Sequence, residues 1–488
     1  MRLNYLANAI GLAMMYMGIV ILFPIIVAVF YQEFTSILPF IIAALTSVSV
    51  GYLLRRFIPN AITLENLNDI KKAEALFIVA MCWVVLGFVA AIPYLFFDFS
   101  PVNALFEAVS GITTTGATVL THYDYPHTLF FWRSFTQWLG GLGIIVLFIA
   151  VLPQFAVAGR QMFFAETPGP NEDKFTPRIR NTASALWKIY LGFTILETIL
   201  LIILGMPPFD AICNSLSTLS AGGFSPHEHS ILGYNSPAIT WIVLVFMFIA
   251  GVNFNLQYKA VVQRKPFELF KNEEFKVYFF MVILMSGFIA ISLFLNHHTN
   301  IADNIRDSLF QVISITTSSG FASLDFEKWN YTSKLLLFIV MFMGACASSA
   351  GGGIKLARWI VVFKSMKSEI LKILHPNAVV NIKIDNKTVP TETARQIVVF
   401  VFFYFLIFGL TAILISILEH NSAVGLTGAI SSLGNIGPGV AVSTGPMGNY
   451  DDLTLYSKLI FIVNMLVGRL ELIPFLVMLQ KDFWTLKD

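Results

Sequence analysis

Charge is scarce in this sequence. Asp, Glu, Lys and Arg make up 12% of its 488 residues, about half the share in a soluble domain. A soluble chain of this size needs a wet, charged surface. The scarcity therefore excludes a soluble fold, and with 56% hydrophobic residues the solvent for much of the chain is lipid. The net charge of +2 gives nothing for nucleic acid to bind. Cysteine is nearly absent: Cys82, Cys213 and Cys346 lie in apolar stretches. An odd count without paired spacing excludes a disulfide framework and a zinc site, and leaves small packing residues. Catalytic signatures are missing as well. No HExxH, no GxSxG and no paired intramembrane carboxylates occur, which argues against an enzyme. His227 and His229 lack a third ligand and read as solvated loop residues, and His297 and His298 as interfacial.

What is present is a series of long apolar runs. A membrane-spanning helix needs about 20 mostly apolar residues, and ten segments qualify: 8–30, 37–54, 75–97, 132–152, 184–205, 237–260, 275–296, 333–362, 394–418 and 454–479. The first has too long an apolar part for a signal peptide and no small-residue cleavage site after it, and is expected to be a retained span. Sorting loop charge by side places 25 of the 31 Lys and Arg on one face, 5 on the other and Arg469 within a span. By the positive-inside rule both termini are expected in the cytoplasm. The longest segment on that face, about 363–393, is too short for the nucleotide-binding domain of an ATP-driven pump. The opposite face is acidic, with Asp98, Glu107, Asp124, Asp210, Glu228, Asp303, Asp307, Asp325, Glu327, Asp451 and Asp452. These read either as a solvated face or as an outer vestibule that concentrates cations.

The segments between spans on the acidic face repeat. FEAVSGITTTGAT (106–118), AICNSLSTLSAGGFS (211–225), LFQVISITTSSGFAS (309–323) and LTGAISSLGNIGPGV (426–440) each carry a short helix-like stretch, a small-polar run and a glycine. Aligned on Gly116, Gly222, Gly320 and Gly437, they recur at intervals of 106, 98 and 117 residues, and each lies between two spans. Non-helical backbone at membrane depth is tolerated where it lines a cavity or is buried in protein. Glycine permits positive φ and carries no Cβ, so such a run can turn its carbonyl oxygens toward an axis. Four around one axis would form rings of oxygens that replace the water shell of a cation. The strand residues are Thr114, Thr115 and Gly116; Ser220, Ala221 and Gly222; Ser318, Ser319 and Gly320; and Asn435, Ile436 and Gly437. The expected fold is an all-α membrane protein. It has two N-terminal spans (1–70) and four span–pore-helix–filter–span repeats (71–180, 181–272, 273–392 and 393–488) around a pseudo-fourfold pore. The repeats are parallel, which favours an axial pore over an alternating-access transporter built on inverted repeats.

These glycine-strand motifs, with GACASSAGGGIK at 344–355 and GRLELIPFLVML at 468–479, resemble the Trk/Ktr/HKT superfamily of potassium transporters over nearly the whole chain. The two extra N-terminal spans favour the membrane subunit of the bacterial Trk system over relatives with the four-repeat core alone. The resemblance implies that the four aligned glycines are filter glycines and that K⁺ is the transported ion. Sodium-preferring plant relatives carry serine at the first filter position, where this chain has Gly116. It also implies an inner-membrane homodimer with one pore per subunit, gated by a ring of cytoplasmic, nucleotide-binding, TrkA-like RCK regulatory subunits. Channel-like conduction and ion-coupled symport both fit, as does a sodium-permeable member of the superfamily.

Two further features stand apart from the strands. Gly344, Ala345, Cys346, Ala347, Ser348, Ser349, Ala350, Gly351, Gly352 and Gly353 interrupt the span 333–362, and each successive glycine weakens a helix by about 1 kcal/mol relative to alanine. This stretch reads as a gate or as a small-residue helix contact; the order GGGIK fits a phosphate-binding loop poorly. The resemblance implies an intramembrane loop that blocks the pore below the filter. Arg469 lies inside the last span, where a charge is costly and marks a pathway or a paired partner such as Glu471. The resemblance implies that it projects into the permeation path. Lys355, Glu197 and Glu471 carry no assigned role.

Overall fold

The structure is a computed structural model and describes residues 3–57, 72–141, 176–296, 300–377, 380–385, 387–470 and 472. In chain order its helices are α1 (Leu3–Val20), α2 (Pro24–Phe30), α3 (Ile37–Phe57), α4 (Lys72–Ala91), α5 (Pro101–Ile112), α6 (His127–Gly141), α7 (Thr176–Ile203), α8 (Pro208–Leu219), α9 (Pro237–Ala250), α10 (Phe254–Val261), α11 (Glu273–Leu295), α12 (Ile301–Thr316), α13 (Tyr331–Val340), α14 (Leu356–Leu374), α15 (Thr391–Leu418), α16 (Ser422–Leu433) and α17 (Leu455–Arg469). A small antiparallel hairpin, β1 (Lys383–Ile384) and β2 (Lys387–Thr388), links α14 to α15.

Six of the ten expected spans are helices long and apolar enough to cross a membrane: Leu6–Phe30, which joins α1 and α2, then Phe34–Phe57, Phe77–Phe96, Ala185–Ile203, Glu273–Leu295 and Thr391–Leu418. Only 33% of the most apolar window of the last three is buried inside the protein. The remaining side chains, such as Phe402, Leu410 and Ile413 on α15, face outward as lipid-contacting residues do. Two expected spans are broken. α9 and α10 meet at 109°, and α13 is separated from α14 by non-helical backbone. The expected spans 132–152 and 454–479 begin as α6 and α17 and then leave the described residues, as does Glu471.

The N-terminal pair packs through small residues. A Cβ on Gly11 would lie 2.7 Å from the Gly51 carbonyl oxygen, and one on Gly51 would lie 2.5 Å from the Gly11 carbonyl. Ser47 donates to the Met14 carbonyl at 2.6 Å. Lipid supplies no hydrophobic drive between helices, so this close backbone approach is what joins α1 to α3.

Four short helices, α5, α8, α12 and α16, each carry buried polar residues, among them Ser110, Ser217, Ser314 and Ser431. Their starts are set locally. Pro101 and Pro208 stand at first positions, where a missing N–H costs nothing. The Asn421 side chain accepts from the N–H groups of Ala423 and Val424 at 3.0 and 3.3 Å, an N-cap. Their ends form the candidate site.

Candidate functional site: a ring of four glycine strands

Each short helix stops by the same route. The C-cap residues are Thr113, Ser220, Thr317 and Gly434. The next residue in each repeat turns left-handed: Thr114, Ala221, Ser318 and Asn435 have φ of 56°, 56°, 57° and 52°. The following N–H groups, on Thr115, Gly222, Ser319 and Ile436, fold back to the carbonyls of Ser110, Ser217, Ser314 and Ser431 at 2.8–2.9 Å. Then comes a glycine with positive φ: Gly116 at 82°, Gly223 at 78°, Gly320 at 71° and Gly437 at 98°.

This geometry corrects the sequence alignment in the second repeat. Ser220, Ala221 and Gly222 were matched one residue early; Ser220 caps the helix, and the equivalent strand is Ala221, Gly222 and Gly223. Two adjacent glycines hid the shift. The signal that sets the register is a serine six residues before each glycine, at 110, 217, 314 and 431. Three of these hydroxyls fasten the strand that follows. Ser110 donates to the Ala117 carbonyl at 2.5 Å, Ser314 to Phe321 at 2.7 Å and Ser431 to Gly437 at 2.6 Å.

The four strands close into a ring. A Cβ on Gly116 would collide with the Gly222 carbonyl oxygen, one on Gly223 with the Ser319 carbonyl, and one on Gly320 with the Ile436 carbonyl; one on Gly437 would lie 2.6 Å from the Thr115 carbonyl. The contacts run from the first repeat to the second, third and fourth and back to the first. Each joins a glycine to the carbonyl at the equivalent position of its neighbour. Both the left-handed φ and the missing Cβ are required here. A mouth at one end of the ring is lined by Gly116, Gly223, Gly320 and Gly437 together with the 117–123, 223–230 and 445–450 loops.

A buried ion pair stands behind the first strand. Glu107 and Arg133 are 0% and 1% exposed, and Arg133 Nε lies 2.8 Å from Glu107 Oε1. Glu107 also accepts from the Val119 N–H at 2.9 Å and from the Thr118 hydroxyl. Arg133 reaches the Thr118 hydroxyl at 3.1 Å and stacks over Phe224, its guanidinium 4.1 Å from the ring centroid. The pair thus ties the first strand to the second. Sequence reading placed Glu107 among the acids of the outer face. Of those acids Glu228 alone, among the described residues, lines the mouth. Asp303 and Asp307 pair with Arg306, Asp325 with Lys328, and Asp451 with Lys458.

The glycine-rich break lies at the opposite end of the strands from the mouth. Residues 341–355 are non-helical, and within them Ser348 and Gly353 have positive φ. The Gly352 N–H donates to the Ser318 hydroxyl at 2.6 Å. A Cβ on Gly351 would lie 2.6 Å from the Thr317 carbonyl, and one on Gly352 would collide with the Gly434 carbonyl. The segment therefore abuts the inner ends of the third and fourth strands. Gly344 donates to the Ile354 carbonyl at 2.9 Å, closing it into a loop, and Cys346 donates to the Gly251 carbonyl at 3.1 Å. Glu274, 6% exposed, clamps both arms: one carboxylate oxygen accepts from Ala347 N at 2.6 Å and from Ala357 N at 3.0 Å. Lys355 donates to the Gly351 carbonyl. In the sequence Glu274 carries no signal of this role, because Glu273 and Glu274 together look like ordinary first-turn acids of a helix.

Arg469 meets this loop from the last helix. Its guanidinium donates to the carbonyls of Ala350 and Gly141, each at 3.1 Å, and to Gly140. It sits 5.9 Å from the centroid of the Trp83 ring. The charge therefore bridges the loop of the third repeat to the inner helix of the first.

Comparison with known proteins places this geometry among relatives. A family model described as TrkH, a cation transport protein, matches residues 63–484. The chain is 35% identical to the Trk system potassium uptake protein TrkH of Vibrio parahaemolyticus and 34% identical to that of Escherichia coli, in each case over 99% of this chain and 100% of the relative. The crystal structure of the potassium transporter TrkH from Vibrio parahaemolyticus superposes with a TM-score of 0.88 at 32% identity, covering 99% of this chain and 100% of that one.

Proposed function

The chain belongs to the TrkH family of cation transport proteins, and from that we propose that it takes up potassium ions across the inner membrane through the ring of four strands. The closed cycle of glycine–carbonyl contacts carries this reading. Four equivalent strands about one axis offer stacked carbonyl oxygens in place of a hydration shell. Four helices end at the ring, and their partially negative C-termini favour a cation there. The filter comprises Thr114, Thr115 and Gly116; Ala221, Gly222 and Gly223; Ser318, Ser319 and Gly320; and Asn435, Ile436 and Gly437. Glycine rather than serine at 116 favours potassium over sodium.

Residues 344–353 act as the gate, since they abut the inner ends of two strands and hang on side-chain hydrogen bonds with Glu274, Ser318 and Arg469. Arg469 adds an electrostatic barrier at the same level. Opening withdraws the loop and parts Arg469 from Ala350. The relatives are named as parts of a Trk system, and on that ground we assign gating to TrkA-like RCK subunits on the cytoplasmic face, with both termini on that side and the chain working as a homodimer. The test is uptake in cells that lack their own potassium transporters, comparing K⁺, Rb⁺ and Na⁺. Uptake of K⁺ and Rb⁺ in preference to Na⁺ is expected; equal uptake of all three would overturn the potassium reading.

A further inference from the structure

The second strand is fastened differently from the other three. Ser217 is the counterpart of Ser110, Ser314 and Ser431, yet its buried hydroxyl has no hydrogen-bond partner among the described residues. In place of a serine anchor, the strand is gripped by Gln137, a residue of α6 in the first repeat that is 0% exposed. The Gln137 amide donates to the Gly222 carbonyl oxygen at 2.6 Å and accepts from the Phe224 N–H at 3.0 Å. The two bonds bracket Gly223, and only this orientation of the amide satisfies both partners. Side-chain space is exchanged in the same place. Position 222 carries no side chain, whereas its counterparts are Thr115, Ser319 and Ile436, and a Cβ at Gly222 would collide with the Gln137 amide.

From these observations we infer that Gln137 is a specificity-determining positioning residue. Its amide holds the second strand in register with the other three, and so fixes the position of one of the four carbonyl ligands. The inference rests on the filter reading above. Among the described residues no side chain donates to the carbonyls of Thr115, Ser319 or Ile436, whereas the Gly222 carbonyl accepts a donor. That oxygen is therefore restrained from the side. The restraint limits how far the ring can contract around an ion smaller than potassium, because contraction must stretch or break a short buried hydrogen bond. Removing the amide leaves Gly222 O and Phe224 N without their side-chain partner and frees the strand to shift.

The test is cation flux in liposomes holding the purified full chain, with Gln137→Met (near-isosteric, both bonds lost) and Gln137→Glu (the donor to Gly222 lost) compared with Gly116→Ser. The expected result is that both Gln137 variants lower the K⁺/Na⁺ permeability ratio by about fivefold, the scale of one lost net hydrogen bond. Their Rb⁺ flux stays measurable, a split that general unfolding would not produce. Should Gly116→Ser change selectivity while neither Gln137 variant does, the inference fails and the filter reading stands. Should none of the three change it, the filter reading itself fails. If Gln137→Met does not insert, Gln137→Glu decides alone, and an unaltered ratio overturns the inference.

Discussion

Asn435 donates from Nδ2 to the Thr115 hydroxyl at 2.9 Å, across 320 residues of sequence. The same amide nitrogen donates to the Met465 carbonyl at 2.9 Å, so this one side chain seals the seam between the last strand, the first strand and the last helix. Asn435→Ala removes both bonds, each worth about 0.5–1.5 kcal/mol net. A lower thermal midpoint of the detergent-solubilised protein is expected, together with a reduced K⁺/Na⁺ ratio in liposome flux. A wild-type midpoint and ratio would show that the seam does not depend on this residue.

The ring predicts which glycines tolerate a side chain. Gly116→Ser must accommodate a Cβ against the Gly222 carbonyl at positive φ, so the second strand is displaced and sodium is admitted. Gly223→Ala is expected to act like Gly320→Ala, because both collide with the next strand and both carry the cost of a left-handed backbone, roughly 1–2 kcal/mol. Sodium-inhibition curves of Rb⁺ uptake measure this. Selectivity unchanged in Gly223→Ala would restore the alignment on Gly222.

Arg469 bridges Ala350 to Gly141. Arg469→Ala removes both the bridge and the positive charge of the proposed barrier, and a several-fold rise in K⁺ flux is predicted for well-inserted protein. Equal or lower flux would contradict the barrier role.

Glu274 joins the two arms of the loop through one oxygen. Glu274→Ala strips Ala347 N and Ala357 N of their acceptor, so the loop should loosen and the pore leak when no cytoplasmic partner is present. Glu274→Gln keeps a carbonyl oxygen in place and should stay near wild type. Leak in the glutamine variant comparable to that in the alanine variant would show that the charge, rather than the acceptor geometry, holds the loop.

Glu107 and Arg133 form a buried pair, and removing one partner strands the other charge. Glu107→Ala is expected to cost about 3–5 kcal/mol, seen as loss of folded, membrane-inserted protein. Normal insertion and stability would mean that water reaches Arg133 and relieves it.

Much of the membrane fold was legible because spans are long apolar runs and lipid leaves little else that such a run can do. Six of them are helices of spanning length. The break at 344–353 was legible from its glycines. The register of the second strand was misread because Gly222 and Gly223 are adjacent, although Ser217 would have corrected it. Gln137 and Glu274 give no signal in the sequence because the backbone groups they bond lie on other elements, 85 and 73 residues away. Glu107 reads as a surface acid because nothing in the sequence of a short helix between spans distinguishes a solvated carboxylate from one folded onto Arg133.

The central claim is that the carbonyls of Thr115, Gly222, Ser319 and Ile436 surround a potassium site. Diffraction from crystals of the full chain grown in rubidium, with anomalous data collected at the rubidium edge, tests it most directly. An anomalous peak on the axis, level with those four carbonyl oxygens, is the predicted result. Clear density for the strands with the rubidium peak off the axis, or with no peak at that level, would contradict it.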